Sequence, residues 1–226
     1  MKVIRLESVD STNNFLKTYA SGGDVIAVAG TQTGGRGTKG RSFVSDAGGL
    51  YISMRREYEN FPASKAFEIM INSCVAVCKT VAFFGAKPVI RWSNDVLCGG
   101  KKICGTLIEN TLSNGNICRS IVGIGLNVTN VLPEELQPIA TTLYKETGKQ
   151  IPVAEVEEVL IQNLQKSYTI QDYKGYINWF GQDVVLKFSD REARAAAVDI
   201  DKTGRLVCII DGEKTAVSSA EVSLRF

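Results

Sequence analysis

Between Thr31 and Phe43 the chain reads TQTGGRGTKGRSF, and this stretch contains Gly35-x-Gly37-x-x-Gly40. Glycines let a backbone come close to a ligand without a Cβ in the way. Successive N–H groups in such a run form a concave nest for an anion. Arg36, Lys39 and Arg41 add cations to it, and arginine offers planar, bidentate donors to phosphate or carboxylate. Taken alone, the loop reads either as an anion cradle or as a solvated, mobile turn. A second stretch, RWSNDVLCGGKKICGTLIE from Arg91 to Glu109, bunches Arg91, Asn94, Asp95, Lys101 and Lys102 on otherwise apolar strands. Such groups are costly there unless they pair with one another or face a site.

Several chemistries drop out. A dinucleotide-binding turn needs its third glycine to open a helix and an acid about 20 residues later. Here Gly40 leads through RSFVSDAGG into the strand-like LYISM. The sequence has no histidine, which excludes a kinase HRD loop, Ser-His-Asp triads, Cys-His dyads and the usual zinc ligands. No GxxxxGK[ST] is present. The six cysteines are scattered without a CxxC pair, and Cys74 and Cys78 sit one helical turn apart in an apolar run, so they read as buried thiols. Chemistry must run on lysine, arginine, carboxylates, amides and backbone.

The elements that position these groups are legible in outline. VIRLES (3–8) reads as a strand, and Ser11, Thr12 and Asn13 are N-cap residues opening a helix NNFLKTYAS. VIAVAGTQ (25–32) is a strand feeding the glycine loop, residues 50–58 alternate like a strand, and 64–84 read as a long buried helix. PVIRWSNDVLC, KKICGTLIEN and ICRSIVGIGLNV read as three strands punctuated by the turn pairs Gly99-Gly100 and Asn114-Gly115. Helix returns over 153–180, interrupted at Gly175. After Gly181 short strands follow one another, with a hairpin at Asp211-Gly212. The pattern predicts an α+β domain over residues 1–180 with a small β-barrel over 181–226.

With 226 residues, 44% of them hydrophobic and 22% charged, the composition is globular. A formal charge of +2 from 26 basic and 24 acidic side chains argues against a nucleic-acid surface spread over the whole protein. The N-terminus has no secretory apolar run, and Asn72, Lys79 and Gly85 interrupt the greasiest region. The expectation is a cytoplasmic protein without a membrane partner.

Seven motifs in order then carry a resemblance: DSTN (10–13), TQTGGRGTKGR (31–41), GGLYISM (48–54), RWSNDV (91–96), GKKICG (100–105), GIGLNV (123–128) and EVSLR (221–225). Together they resemble the biotin protein ligases, the biotin–acetyl-CoA-carboxylase ligases of bacterial type. The resemblance implies a class II synthetase-like mixed-sheet catalytic domain with a small C-terminal β-barrel. It implies activation of biotin by ATP and Mg²⁺ to biotinyl-5′-AMP, then transfer to one lysine of a biotin carboxyl carrier domain, and it leaves a homodimer open.

By this resemblance Ser11, Thr12, Asn13 and Gln32 bind the ureido head of biotin, while Gly35, Arg36, Gly37, Thr38 and Gly105 line its path to the carboxylate. Lys102 is the leading catalytic candidate, beside Arg36 and Asp95. Asp95 has two open roles, binding magnesium or orienting the incoming lysine. Lys39, Arg41, Phe43, Asn94, Asn127 and Arg225 fall to the adenylate, with Phe43 as a wall for adenine; metal ligands are not assigned. Thr38 stands where the family commonly has another arginine, Arg91 replaces a usual lysine and Ser93 a usual proline. Some members carry an N-terminal helix-turn-helix domain; here DSTN begins at residue 10, so no such domain and no DNA partner are expected. A lipoate or octanoate ligase of the same superfamily and a catalytically silent biotin-binding regulator are the competing readings.

Overall fold

Strand residues alternate between two faces, so each central strand must satisfy two different environments. In the computed structural model, which describes residues 1–20, 22–220 and 222–225, one face meets a long helix and the other a short one. The elements run β1 (Lys2–Val9), α1 (Thr12–Thr18), β2 (Val25–Gln32), β3 (Leu50–Pro62), α2 (Ala66–Phe83), β4 (Pro88–Arg91), β5 (Asp95–Cys98), β6 (Lys101–Ser113) and β7 (Asn116–Leu126). Then come α3 (Leu143–Thr147), α4 (Val153–Leu164), α5 (Ile170–Lys174), β8 (Asp183–Lys187), β9 (Glu192–Ile200), β10 (Leu206–Ile210), β11 (Glu213–Val217) and β12 (Ser223–Arg225).

The first sheet has seven strands in the order β1-β2-β3-β7-β6-β5-β4. Among the described residues of this sheet only strands β1 and β2 pair in parallel; its other strand pairs are antiparallel. Ile26, Val28, Leu50, Ile52 and Met54 pack with the buried residues of α2 in the main core. Val25, Ala27 and Ile121 point the other way, onto Leu16 of α1. Helix α2 is apolar and long enough by composition to cross a membrane, but its buried positions, Ile69 to Val81, belong to that core. Cys74, Cys78, Cys98, Cys104 and Cys208 are buried there as free thiols, and burial pushes Cys74 and Cys98 up to about 12.

The hairpins at Gly99-Gly100, Asn114-Gly115 and Asp211-Gly212 form as expected, with positive φ at both residues of each pair. One expectation changes. The run from Pro88 to Cys98 is not a single strand but the tight hairpin β4–β5, turning through Trp92, Ser93 and Asn94. Its turn is tied down from outside. Tyr173 donates to the Ser93 carbonyl at 2.7 Å, and the Trp92 indole donates to the Gly204 carbonyl at 2.9 Å. Asn94 Nδ2 reaches the Thr106 carbonyl at 2.8 Å.

Strands β8 to β12 form a second antiparallel sheet in the order β11-β10-β9-β8-β12. Among the described residues no pairing joins β11 to β12, so the small β unit is an open sheet where the sequence suggested a barrel. Its inward residues, including Val184, Leu186, Ala197 and Leu206, continue the main hydrophobic cluster.

Candidate active site

Above the α1 face of the large sheet lies a cleft of about 480 Å³, counting space open to solvent. Strand alternation forms its floor. In β7, Val122, Ile124 and Leu126 are buried while Gly123 and Gly125 turn to the cleft, paired across the sheet with Leu107 and Gly105 of β6. The missing side chains make room. A Cβ on Gly123 would collide with the Asn13 amide, and one on Gly125 with the Phe43 ring.

The near end of the cleft is a neutral hydrogen-bonding set. Ser11, Thr12 and Asn13 are each about 3% exposed at the start of α1, and the Ser11 hydroxyl is not spent on capping the helix. Gln32 Oε1 accepts from the Thr12 amide at 2.9 Å and from its hydroxyl at 3.0 Å, and Gln32 Nε2 donates to Ser45 at 2.9 Å. Ser53, buried on β3, lies 2.6 Å from Thr12 Oγ1 and 2.5 Å from Asn13 Oδ1, with one proton to give to either. Asn13 Nδ2 donates to Glu109 at 2.9 Å. Such a set suits a neutral group that both donates and accepts.

The far end is cationic. Residues 102 and 105 would face opposite sides of a regular strand. A register shift opposite Val96 and Leu97 inserts an extra residue of β6 between them, so Lys102 turns to the same side as Gly105. A Cβ on Gly105 would lie 2.9 Å from the Lys102 ammonium. That ammonium bonds Asp95 Oδ1 at 2.7 Å, while Arg91 donates to Asp95 Oδ2 at 2.7 Å. The loop closes over the cleft with Arg36, Gly37 and Thr38 on its lining. Gly35 sits behind them, where a Cβ would run into the Phe43 carbonyl and Ser45.

A second cavity of about 550 Å³ abuts the first and shares Thr38 and Asn94 with it. Lys39, Arg41, Arg91 and Asp95 line it, and Ser219, Val222 and Leu224 close it from the second sheet. Lys39, at φ 57°, donates to the Val222 carbonyl at 3.2 Å, tying the glycine loop to that sheet. The first cavity, neutral at its near end and cationic at its far end, meets the second where Lys102 reaches Asp95.

The structure thus gathers Ser11, Thr12, Asn13, Gln32, Arg36, Gly37, Thr38, Lys102 and Gly105 at the first cavity. It gathers Lys39, Arg41, Asn94 and Asp95 at the second. Phe43 lies with the first group, its ring over Gly105 and Gly125 and 5.8 Å from the Lys102 ammonium, rather than at the second cavity. Asn127 lines neither: its amide donates to the Thr141 carbonyl and accepts from Asn130, fixing the loop after β7. The Arg225 side chain lies outside the described residues. Ser53, Glu109 and the apolar closure by Val222 and Leu224 were not anticipated. A lone serine in the apolar run LYISM was the available signal for Ser53, and the motif EVSLR for Val222 and Leu224.

Burial alone would raise the Asp95 carboxyl, but the Lys102 charge, the Arg91 hydrogen bond and the Lys102 hydrogen bond outweigh it and hold it below the ordinary value. A carboxyl depressed on folding stabilises the fold above its unfolded pKa of ~3.9, and that contribution is lost as pH falls through the lower folded value. The stability difference between the parent chain and Asp95→Asn should therefore be constant from pH 8 to 5 and shrink below about pH 4. Urea titrations across that range measure it; a difference already falling at pH 6 contradicts the assignment.

The sequence profile of the biotin/lipoate A/B protein ligase family matches residues 5–127, over half of the chain. The chain belongs to this family. A second profile, the biotin protein ligase C terminal domain, matches residues 180–225. Among family relatives, a biotin–[acetyl-CoA-carboxylase] ligase of Mycobacterium tuberculosis is 30% identical over 94% of this chain and 85% of its own. The bifunctional ligase/repressor of Bacillus subtilis is 32% identical over 74% of this chain. The chain spans about half the length of the Bacillus ligase/repressors it matches, 52% in each case. The family fold is also shared with a biotin protein ligase from Aquifex aeolicus solved in complex with biotin and ATP. That match has a TM-score of 0.82 and 30% identity, covering 99% of this chain and 98% of that one.

Proposed function

We propose that this chain activates biotin with ATP, giving biotinyl-5′-AMP and pyrophosphate, and passes the biotinyl group to a lysine of a biotin carboxyl carrier domain. The observation that carries the proposal is the pair of cavities meeting at Thr38 and Asn94, with Lys102 and Asp95 bonded across the junction. The neutral set at Ser11, Thr12, Asn13 and Gln32 suits a ureido ring. The cations of the second cavity suit a triphosphate. The relative solved with both biotin and ATP supports the substrate pair.

In the first step a biotin carboxylate oxygen attacks the α-phosphorus and pyrophosphate leaves. In the second, a neutral lysine amine attacks the acyl carbon and AMP leaves. Neither step needs a covalent enzyme intermediate. Arg36 and Lys102 offset the repulsion between carboxylate and phosphate and stabilise charge on the transferring oxygens. Asp95 orients the Lys102 ammonium from behind. Magnesium enters with ATP as part of the substrate. Both Asp95 oxygens are taken by cations, and among the described residues no cluster of three or more acidic or thiol ligands is placed to hold a resident ion.

Lipoate or octanoate remains the alternative substrate. The match of residues 180–225 to a biotin-ligase domain favours biotin. A silent binder has no use for Lys102 at the junction. The test is incubation of the chain with biotin, MgATP and a biotin carboxyl carrier domain, followed by mass spectrometry: one biotinylated lysine supports the proposal, and an unmodified carrier counts against it.

Thr38 lines both cavities, where a longer cation would reach the phosphate. Thr38→Arg should slow escape of biotinyl-AMP about tenfold through a charge-assisted bidentate contact. Gel filtration after a single turnover measures retained intermediate, and equal or faster release from the variant would sink this expectation.

A further inference from the structure

Glu109 lies outside both cavities, on the cleft face of β6 one pair beyond Leu107, opposite Ile121. Its two oxygens are divided. Oε2 accepts from Asn13 Nδ2 at 2.9 Å; Oε1 takes Lys17 at 2.7 Å and, more loosely, Arg36 at 3.5 Å. Burial would raise this carboxyl, but hydrogen bonds from Lys17 and Asn13 and the charges of Lys17 and Arg36 keep it ionised and lowered.

An ionised carboxylate only accepts. The Asn13 amide must therefore turn its NH₂ group to Glu109 and its oxygen to Ser53 and the cleft. At the other end, Arg36 is held between Glu109 and Asn14, whose Oδ1 it reaches at 3.1 Å. Because Lys17 holds the shared oxygen more tightly, a ligand carboxylate can draw Arg36 away without leaving Glu109 unpaired.

We propose that Glu109 is a positioning residue of the biotin cleft: it fixes the acceptor polarity of Asn13 toward the ureido N–H and holds Arg36 ready for the carboxylate. The proposal rests on the ligase reading above. In Glu109→Gln the side chain still satisfies Lys17 with its oxygen, so its NH₂ faces Asn13 and the Asn13 amide turns over, presenting a donor to a donor. The exchanged pair Asn13→Asp with Glu109→Gln restores an acceptor toward the cleft.

The experiment measures biotin-dependent pyrophosphate exchange by the parent chain, the single variant Glu109→Gln and the double variant, with KM for biotin and for ATP and the melting temperature of each. Glu109→Gln should raise KM for biotin about tenfold, the effect of one mismatched buried hydrogen bond. KM for ATP should stay within about twofold, and the double variant should recover most of the loss. A residue that merely supported the fold would shift both KM values and gain nothing from the exchange. A parent chain that exchanges with biotin beside an unchanged Glu109→Gln, or a double variant no better than the single one, overturns this inference alone. A parent chain with no exchange overturns the ligase reading and this inference with it.

Discussion

A Lys102→Met variant should exchange pyrophosphate into ATP about a thousandfold more slowly than the parent chain, the scale seen when one preorganised donor to a developing oxyanion is removed. The expectation follows from place as well as charge. The register shift in β6 aims Lys102 over Gly105, its ammonium bonds Asp95 at 2.7 Å, and its side chain is one-third exposed, so a substrate oxygen has room to approach. Methionine keeps the stem and removes the charge. Biotin affinity, carried mostly at the other end of the cleft, should change by less than about tenfold, because the lost interaction belongs to the transition state. Titration calorimetry and exchange kinetics on the same preparation separate the two. An exchange rate within tenfold of the parent would remove Lys102 from the chemistry.

Gly123→Ala is the second large effect. The added methyl would occupy the space of the Asn13 amide, which is held between Ser53 and Glu109 and cannot swing aside without breaking both contacts. Displacing it leaves buried polar groups unpaired, at a cost of roughly 1–3 kcal/mol, which converts to about a five- to 150-fold loss of biotin affinity. ATP binding should be little changed, since Gly123 does not line the second cavity. Unaltered biotin affinity in a folded Gly123→Ala protein would show that Asn13 does not hold the ureido group.

What the sequence made legible depended on local signals. The hairpin pairs and the slim β7 strand follow from glycines at turn positions and at alternate residues. The helix start at Ser11 to Asn13 is marked by cap-type residues, although the Ser11 hydroxyl makes no capping bond. The β4–β5 hairpin was hidden because its turn, Trp92-Ser93-Asn94, carries no glycine or proline and is instead held by Tyr173, Gly204 and Thr106, all remote in sequence. The facing of Lys102 depends on an irregularity of strand pairing that no periodicity reveals. Glu109 carries no local signal, since its three partners come from α1 and the glycine loop. Asn127 and Phe43 were placed by motif alone. The folded chain puts Asn127 to structural use and Phe43 in the neighbouring cavity.

The most direct measurement is exchange of labelled pyrophosphate into ATP by the purified chain, with biotin, lipoate and octanoate run in parallel. The account predicts exchange that depends on biotin and is absent with the other two acids. Exchange with lipoate or octanoate instead, or no exchange with any of them, contradicts it.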